Sequence, residues 1–192
     1  MRNLDRRLFL SASGGFAMTS LLTTAPLQAA TQFAPGPGKL TGKGPGDFDF
    51  LTGEWSITIR NFDTSGPNGA KERKASATVH RVLNGMGSIE ELRNGDGSAW
   101  GMGVRVWRAE DKRWADHWTA EQNGVVNPPQ LGQFIDGAGV FWADDTDDDK
   151  PVKIRAIWDR ITPTSCRWHQ ALSRDGGKTW EYGWYMEWTR VK

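Results

Sequence analysis

A group of polar residues lies among aromatic ones in the middle of the chain, where the combination could recognise a small molecule. Gly101, Gly103, Arg105 and Trp107 share one face of a predicted strand, so two positions without side chains lie next to an arginine. Glu91, on the strand before, is expected to pair with Arg105 across a hairpin. An arginine, a carboxylate and an amide among indole rings would give an apolar cavity with a few polar anchors.

In the predicted ligand site, tryptophans therefore line the cavity and a few polar residues among them bind the polar groups of the ligand. The predicted ligand-binding residues are Glu91, Arg105, Trp107, Trp114, Trp118, Trp168, Gln170 and Trp184. An enzyme is a second interpretation, with Glu91 or Asp116 as general acid/base and Arg105 stabilising an oxyanion. In a third interpretation Glu91 and Arg105 form an exposed cross-strand pair on a barrel with a filled core.

The histidines of the sequence do not have the spacing of a metal-binding motif. His80, His117 and His169 lie far apart, although His117, among aromatic neighbours, is the best candidate if a single histidine binds haem. The aspartates of 144–149 favour a solvated hairpin, with weak calcium binding as the alternative, since the Gly and Glu positions of a calcium loop are not filled. We expect Cys166 to be a buried structural thiol, because no activating residue is adjacent to it. No cofactor is predicted.

Residues 173–180, SRDGGKTW, match the Asp-box pattern of sialidases, S-x-D-x-G-x-T-W. In such a turn the carboxylate of Asp175 accepts backbone N–H groups, Gly177 supplies a positive φ and Trp180 packs underneath. Sialidases repeat the motif around a propeller, whereas this chain has one copy. The motif therefore predicts a structural turn.

The elements that must position these residues are short strands. Runs of β-branched and aromatic residues alternate with Gly, Asn, Asp and Pro clusters every 8–15 residues or so, which is typical of antiparallel hairpins. We find no amphipathic helix. At the end of the chain, Trp180, Tyr182, Trp184, Met186 and Trp188 are expected on one face. The predicted strands are Trp55–Phe62, Lys74–Val82, Ser88–Arg93, Trp100–Arg108, Trp114–Glu121, Gly132–Ile135, Val140–Ala143, Val152–Asp159, Ser165–Ser173 and Trp180–Val191. Closure into an antiparallel all-β barrel would remove the sheet edges.

Composition narrows the function classes. The chain has 192 residues, 24 Lys and Arg against 23 Asp and Glu, 11 Trp and one Cys. The balanced charge argues against a nucleic-acid surface, and the single Cys excludes an intramolecular disulfide. So many indole rings predict either a thick aromatic core or an aromatic-lined cavity.

The first 30 residues have the layout of an export signal. Arg2, Arg6 and Arg7 precede a weakly apolar stretch that ends in small residues, and Arg6-Arg7 followed by LFL resembles the twin-arginine signal. An ordinary secretory signal is the alternative. We expect cleavage near Ala30, a flexible Gly/Pro-rich lead over residues 31–47, a barrel domain over 48–192 and no membrane span after cleavage. The predicted location is the periplasm or the exterior of a bacterium, with the twin-arginine machinery as a partner.

Two resemblances to known families support the barrel. Gly53-Glu54-Trp55 at the start of the first strand resembles the lipocalin and calycin signature, which implies that Arg190, near the end of the last strand, lies across Trp55. The stretch from 47 to 192, including DFDFLTGEW, VRVWRAEDKRW and QALSRDGGKTWEYGWYMEWTR, is also similar to a bacterial calycin-like family catalogued as domain of unknown function 1579. That similarity implies a fold and no activity.

Three functions stay open on this sequence. The first is a periplasmic protein that binds a small hydrophobic or aromatic molecule. The second is an enzyme acting on such a molecule, and the third is a structural or interaction protein of the envelope. The sequence does not define the ligand or the oligomeric state.

Overall fold

The computed structural model describes residues 38–61 and 71–191, and these form a closed barrel of ten antiparallel strands. The strands are β1 (Gly53–Asn61), β2 (Lys71–Val82), β3 (Gly87–Asn94), β4 (Ala99–Arg108), β5 (Arg113–Ala120), β6 (Gln130–Ile135), β7 (Ala138–Asp147), β8 (Lys150–Asp159), β9 (Ser165–Ser173) and β10 (Glu181–Arg190). Each pairs with its neighbours along the chain, and β10 pairs with β1. The predicted all-β, antiparallel closed barrel is confirmed. No helix in the described part of the chain could cross a bilayer.

The barrel closes where β1 and β10 meet, and the residues of that junction hold one another in place. Trp55 and Arg190 are directly paired across the two strands, with the Arg190 guanidinium 4.3 Å from the centre of the Trp55 ring. Arg190 also donates hydrogen bonds to the carbonyl oxygens of Phe50, Thr52 and Pro163. A cation over a buried indole, tied to three backbone carbonyls, joins the first strand to the last.

One end of the barrel, here called the base, is covered by residues 38–52. The backbone N–H groups of Thr41 and Gly42 donate to the carbonyl of Phe134, and Asp47 accepts a hydrogen bond from the Trp114 indole at 3.2 Å. The described part of the predicted flexible lead, residues 38–47, is therefore packed against the barrel. Residues 1–37, with the predicted export signal and the start of the lead, lie outside the described residues.

Below this segment the base is packed with aromatic rings. The centre of the Phe48 ring lies 5.0 Å from that of Trp114, 5.2 Å from that of Phe134 and 5.8 Å from that of Phe141, and the first two pairs are edge to face. Such edge-to-face contacts are favourable between aromatic quadrupoles. Much of the tryptophan content of the chain thus fills the base and core, as one of the two sequence interpretations requires.

A bulge in β10 changes which aromatic residues face inward. The register with β9 shifts between Tyr182 and Trp184, so Gly183 is an extra residue and Tyr182 lies on the outer face. Trp184, Met186 and Trp188 face inward and are buried. The expectation that Trp180 and Tyr182 share their face is wrong, because one inserted residue reverses the alternation before it.

Residues 173–180 form a tight turn between β9 and β10. The Asp175 carboxylate accepts hydrogen bonds from the backbone N–H groups of Lys178 and Thr179 and from the hydroxyls of Ser173 and Thr179. These bonds, the Thr179 hydroxyl foremost, hold the pKa of Asp175 well below its usual range. Gly177 has a φ of +98°, and its carbonyl accepts the Trp180 indole N–H at 3.2 Å. All of these contacts are local to the turn.

Candidate functional site

An ion cluster lies inside the barrel at mid-height. β4 alternates so that Gly103 and Arg105 face inward, and Arg105 is 1% exposed. Its Nη2 donates to Oε2 of Glu90, which is fully buried, and its Nε lies 3.5 Å from Oδ2 of Asp116, whose side chain is 13% exposed. One guanidinium thus faces two carboxylates, one deep in the core and one nearer solvent.

The carboxylate that meets Arg105 is Glu90, and the prediction of Glu91 was wrong. In the β3–β4 pairing Glu90 lies opposite Gly103, whereas Glu91 lies opposite Met102 and faces outward. The Glu91 side chain is 53% exposed and pairs with Arg93. Ile89 and Leu92 have opposite parity along β3, so the apolar pattern could not assign the faces of this strand. Leu92, which is buried beside Glu90, was the one available signal.

Aromatic rings surround the guanidinium on two sides. The Cζ atom of Arg105 lies 5.2 Å from the centre of the Phe48 ring and 5.1 Å from that of Trp158. Burial by itself would lower the pKa of Arg105, but Asp116 and Glu90 more than offset that effect and raise it. Arg105 is therefore charged, and two carboxylates inside the barrel face its guanidinium.

The predicted binding tryptophans divide between two levels. Trp107 and Trp114 lie at the base, with ring centres 5.7 Å apart, and belong to its packing. Trp118, Trp168 and Trp184 lie toward the opposite end, here called the far end. Gln170 faces inward there, paired with Trp184 across β9 and β10. The structure thus brings four of the predicted binding residues together near the far end.

The far end also contains residues that the sequence analysis missed. Trp100, an extra residue in the β3–β4 register, stacks on Trp184 with ring centres 5.7 Å apart and planes at 8°. The Arg73 guanidinium lies 4.2 Å from the Trp100 ring centre.

At mid-height, Ser88 and Gln130 face inward as further polar residues, Ser88 opposite Arg105 and Gln130 opposite Asp116. Gln130 was missed because it lay outside the predicted strand.

The two glycines of β4 do not leave open space, contrary to expectation. A Cβ at Gly101 would lie 2.3 Å from the Trp118 ring, and one at Gly103 would lie 3.3 Å from Nη2 of Arg105 and 3.5 Å from Glu90. Gly101 is therefore needed for the packing of Trp118. Gly103 leaves room for the buried ion pair, and a leucine there would displace charged groups.

Several buried N–H groups inside the barrel have no hydrogen-bond partner among the described residues. They are Nη1 of Arg105 and the indole Nε1 atoms of Trp158, Trp184 and Trp188. Each of these residues is at most 4% exposed. A buried donor without an acceptor is costly, so native structures supply one from protein, water or ligand. The Gln130 amide oxygen and the Ser88 hydroxyl are also without a partner in the described part of the chain, so unpaired donors outnumber unpaired acceptors among these inward-facing groups.

The other candidate groups lie away from the ion cluster or are unreactive. Cys166 faces inward, and burial raises its pKa to about 12, so it is a neutral thiol at physiological pH. His117, the haem candidate, faces outward, and its Nδ1 lies 3.0 Å from the Asn127 carbonyl oxygen, so it is not a ligand inside the barrel. His80 is exposed, and His169 is buried on the outer face against Tyr185.

The acidic segment 144–149 forms the β7–β8 hairpin, with Asp148 and Asp149 at positive φ. Among residues 38–61 and 71–191, no group of three or more His, Cys, Asp or Glu side chains is arranged to hold a metal ion.

The chain matches none of the protein-family models and none of the curated proteins with which it was compared. Among solved structures it is similar to the S-type phycobiliprotein lyase CPES from Guillardia theta. That similarity covers 76% of this chain and 90% of the lyase chain, at 11% sequence identity and a TM-score of 0.49. The barrel fold follows from the strand pairing of the chain itself.

Proposed function

We propose that this protein binds a small hydrophobic or aromatic molecule inside the barrel. The observation that carries the proposal is a set of buried N–H groups, on Arg105, Trp158, Trp184 and Trp188, that have no partner within the described residues. They lie in an apolar interior, and ligand sites are typically apolar with a few polar groups that anchor the ligand. A barrel built only for stability would be expected to pair these donors within the protein. The far end, where Trp118 and Gln170 are half-buried, is the proposed entrance.

The test is binding of N-phenyl-1-naphthylamine, a neutral dye that fluoresces when it leaves water. We expect saturable binding at one site and at least tenfold weaker binding by Trp184→Ala, which removes part of the proposed wall. Trp142→Ala is the matched control, since Trp142 lies on the outer face against Trp180. Absence of saturable binding, or equal loss in both variants, would refute a site inside the barrel. It would favour the third function, a structural or interaction protein.

Catalysis is the second candidate function. Asp116 is the more exposed of the two carboxylates of the cluster and lies beside Arg105, an arrangement that suits a general acid/base next to an oxyanion stabiliser. Mass spectrometry of the molecule that co-purifies, before and after incubation with fresh protein, distinguishes the two functions. Conversion that Asp116→Asn abolishes supports an enzyme, and a molecule recovered unchanged supports a binding protein.

We further propose that the protein is exported through the twin-arginine route to the periplasm or beyond. The support is the sequence Arg6-Arg7-Leu8-Phe9-Leu10 and the small residues before position 31. Replacing Arg6 and Arg7 by lysine should leave the precursor in the cytoplasm. Normal export of that variant would indicate the general secretory route. We also propose membership of the family catalogued as domain of unknown function 1579, on the segments quoted above.

A further inference from the structure

The charge of the buried cluster limits which molecules the interior can bind. Arg105 carries one positive charge, and Glu90 and Asp116 both face it, at Nη2 and Nε respectively. At this level of the barrel the positive charge is thus already compensated by the protein itself. Charges interact strongly in an enclosed apolar interior, so a further negative charge there would meet two carboxylates at close range.

The unpartnered donors next to the cluster give the second constraint. The Nη1 of Arg105 and the Nε1 atoms of Trp158 and Trp188 have no acceptor among the described residues, and the three side chains are adjacent. Arg105 Cζ lies 5.1 Å from the Trp158 ring centre, and the Trp158 and Trp188 ring centres are 5.3 Å apart. A molecule bound beside these three side chains would therefore gain from carrying a hydrogen-bond acceptor.

We propose that the molecule bound inside the barrel is uncharged and carries a carbonyl-type acceptor, as a ketone, quinone or amide does. This inference rests on the proposed binding function. An uncharged acceptor satisfies the N–H groups and adds no charge to a cluster in which two carboxylates already face one guanidinium. A carboxylate would add a charge beside Glu90 and Asp116. An ammonium group would bring no acceptor and would lie beside the Arg105 guanidinium.

Three probes of nearly equal shape test the inference by isothermal titration calorimetry. They are 4-phenylbutan-2-one, 3-phenylpropanoate and 4-phenylbutan-2-amine, which share a phenylethyl group and differ in the end that would meet Arg105. We expect the ketone to bind at least tenfold more tightly than the carboxylate and the amine. A carboxylate or an amine that binds as tightly as the ketone would overturn the inference.

A substitution in the cluster gives an independent readout. Asp116→Asn removes one negative charge at nearly constant volume, so we expect the carboxylate probe to gain at least tenfold in affinity while the ketone changes less than threefold. Glu91→Gln is the control, since Glu91 lies on the outer face and should leave all three affinities unchanged. An unchanged carboxylate affinity in Asp116→Asn would contradict the charge argument.

The two proposals fail in different ways. If N-phenyl-1-naphthylamine binds but the ketone shows no preference, the interior binds molecules and the inference about the acceptor is wrong. If neither the dye nor any of the three probes binds, the proposed function is wrong as well.

Discussion

Gly53 lies where a side chain would collide with Arg190: a Cβ at residue 53 would be 2.7 Å from the Arg190 Nη1 atom. Gly53 also has a φ of +122°, a conformation that residues with a side chain rarely adopt. The Gly-x-Trp signature thus has a physical explanation at this site. Its glycine makes room for the guanidinium, and its tryptophan supplies the ring beneath it.

Loss of Arg190 should destabilise the barrel at its closing seam. Arg190→Ala removes the contact with Trp55 and the hydrogen bonds to three carbonyls, so we expect the free energy of unfolding to fall by about 2–3 kcal/mol. Urea unfolding monitored by circular dichroism measures the change. Arg108→Ala, at an exposed arginine near the same end, is the control and should change stability by less than about 0.5 kcal/mol. Equal effects of the two substitutions would show that the contacts of Arg190 at the β1–β10 junction contribute no more to stability than a surface ion pair does.

Two adjacent glutamates should differ sharply in their effect on stability. Glu90→Gln weakens a buried ion pair, and we expect a loss of about 3 kcal/mol, because a buried guanidinium loses a charged partner. Glu91→Gln affects an exposed pair and should cost less than about 1 kcal/mol. Denaturant unfolding of the two variants measures both losses of stability. A larger loss for Glu91→Gln than for Glu90→Gln would mean that the β3 register is shifted by one residue.

The stability of the protein should depend on pH through Asp145, which lies near the far end. Burial, with a contribution from nearby Asp147, raises its pKa to about 6, above the ~3.9 of an unfolded aspartate. The protonated carboxyl is therefore favoured by folding, and its contribution is complete below about pH 4 and lost as the pH rises through about 6. Asp145→Asn should stabilise the protein at pH 7.5 by at most about 1 kcal/mol, since the side chain is only partly buried. At about pH 4 the variant and the wild type should unfold alike, and a stabilisation that persists there would exclude titration of Asp145 as its cause.

Cys166 should be silent toward thiol reagents while the protein is folded. Its side chain is 2% exposed, and its raised pKa keeps it protonated at pH 8. We expect 5,5′-dithiobis(2-nitrobenzoate) to react with the thiol only under denaturing conditions. Rapid reaction of the folded protein would mean that the interior opens near β9 on the timescale of the assay.

The fold could be predicted from the sequence to a large extent because strand propensity and turn signals agreed from the first strand to the last. Each of the ten predicted strands overlaps one in the structure. The errors lie where one residue changes the alternation. Gly183 forms a bulge that places Tyr182 outside, and the apolar residues of β3 did not decide between Glu90 and Glu91.

The interior was less predictable, because side-chain volume is not visible in a pattern of faces. Gly101 and Gly103 indicated open space, whereas the Trp118 ring and the Arg105–Glu90 pair occupy the positions next to them. Likewise, residues 38–47 contain no apolar period and could be recognised as part of the folded base only from their contacts with Phe134 and Trp114.

Both ends of the described chain leave the barrel on the same side. Residues 38–42 lie along the end of β6, and Val191 donates its backbone N–H to Glu54 at the start of β1, so Gly38 and Val191 are both at the base. An attachment made directly before Gly38 or directly after Val191, such as a purification tag or a tether to a surface, would therefore hold the molecule by its base. The far end, with Trp100, Trp184 and Arg73, would face away from the support and stay accessible to solutes.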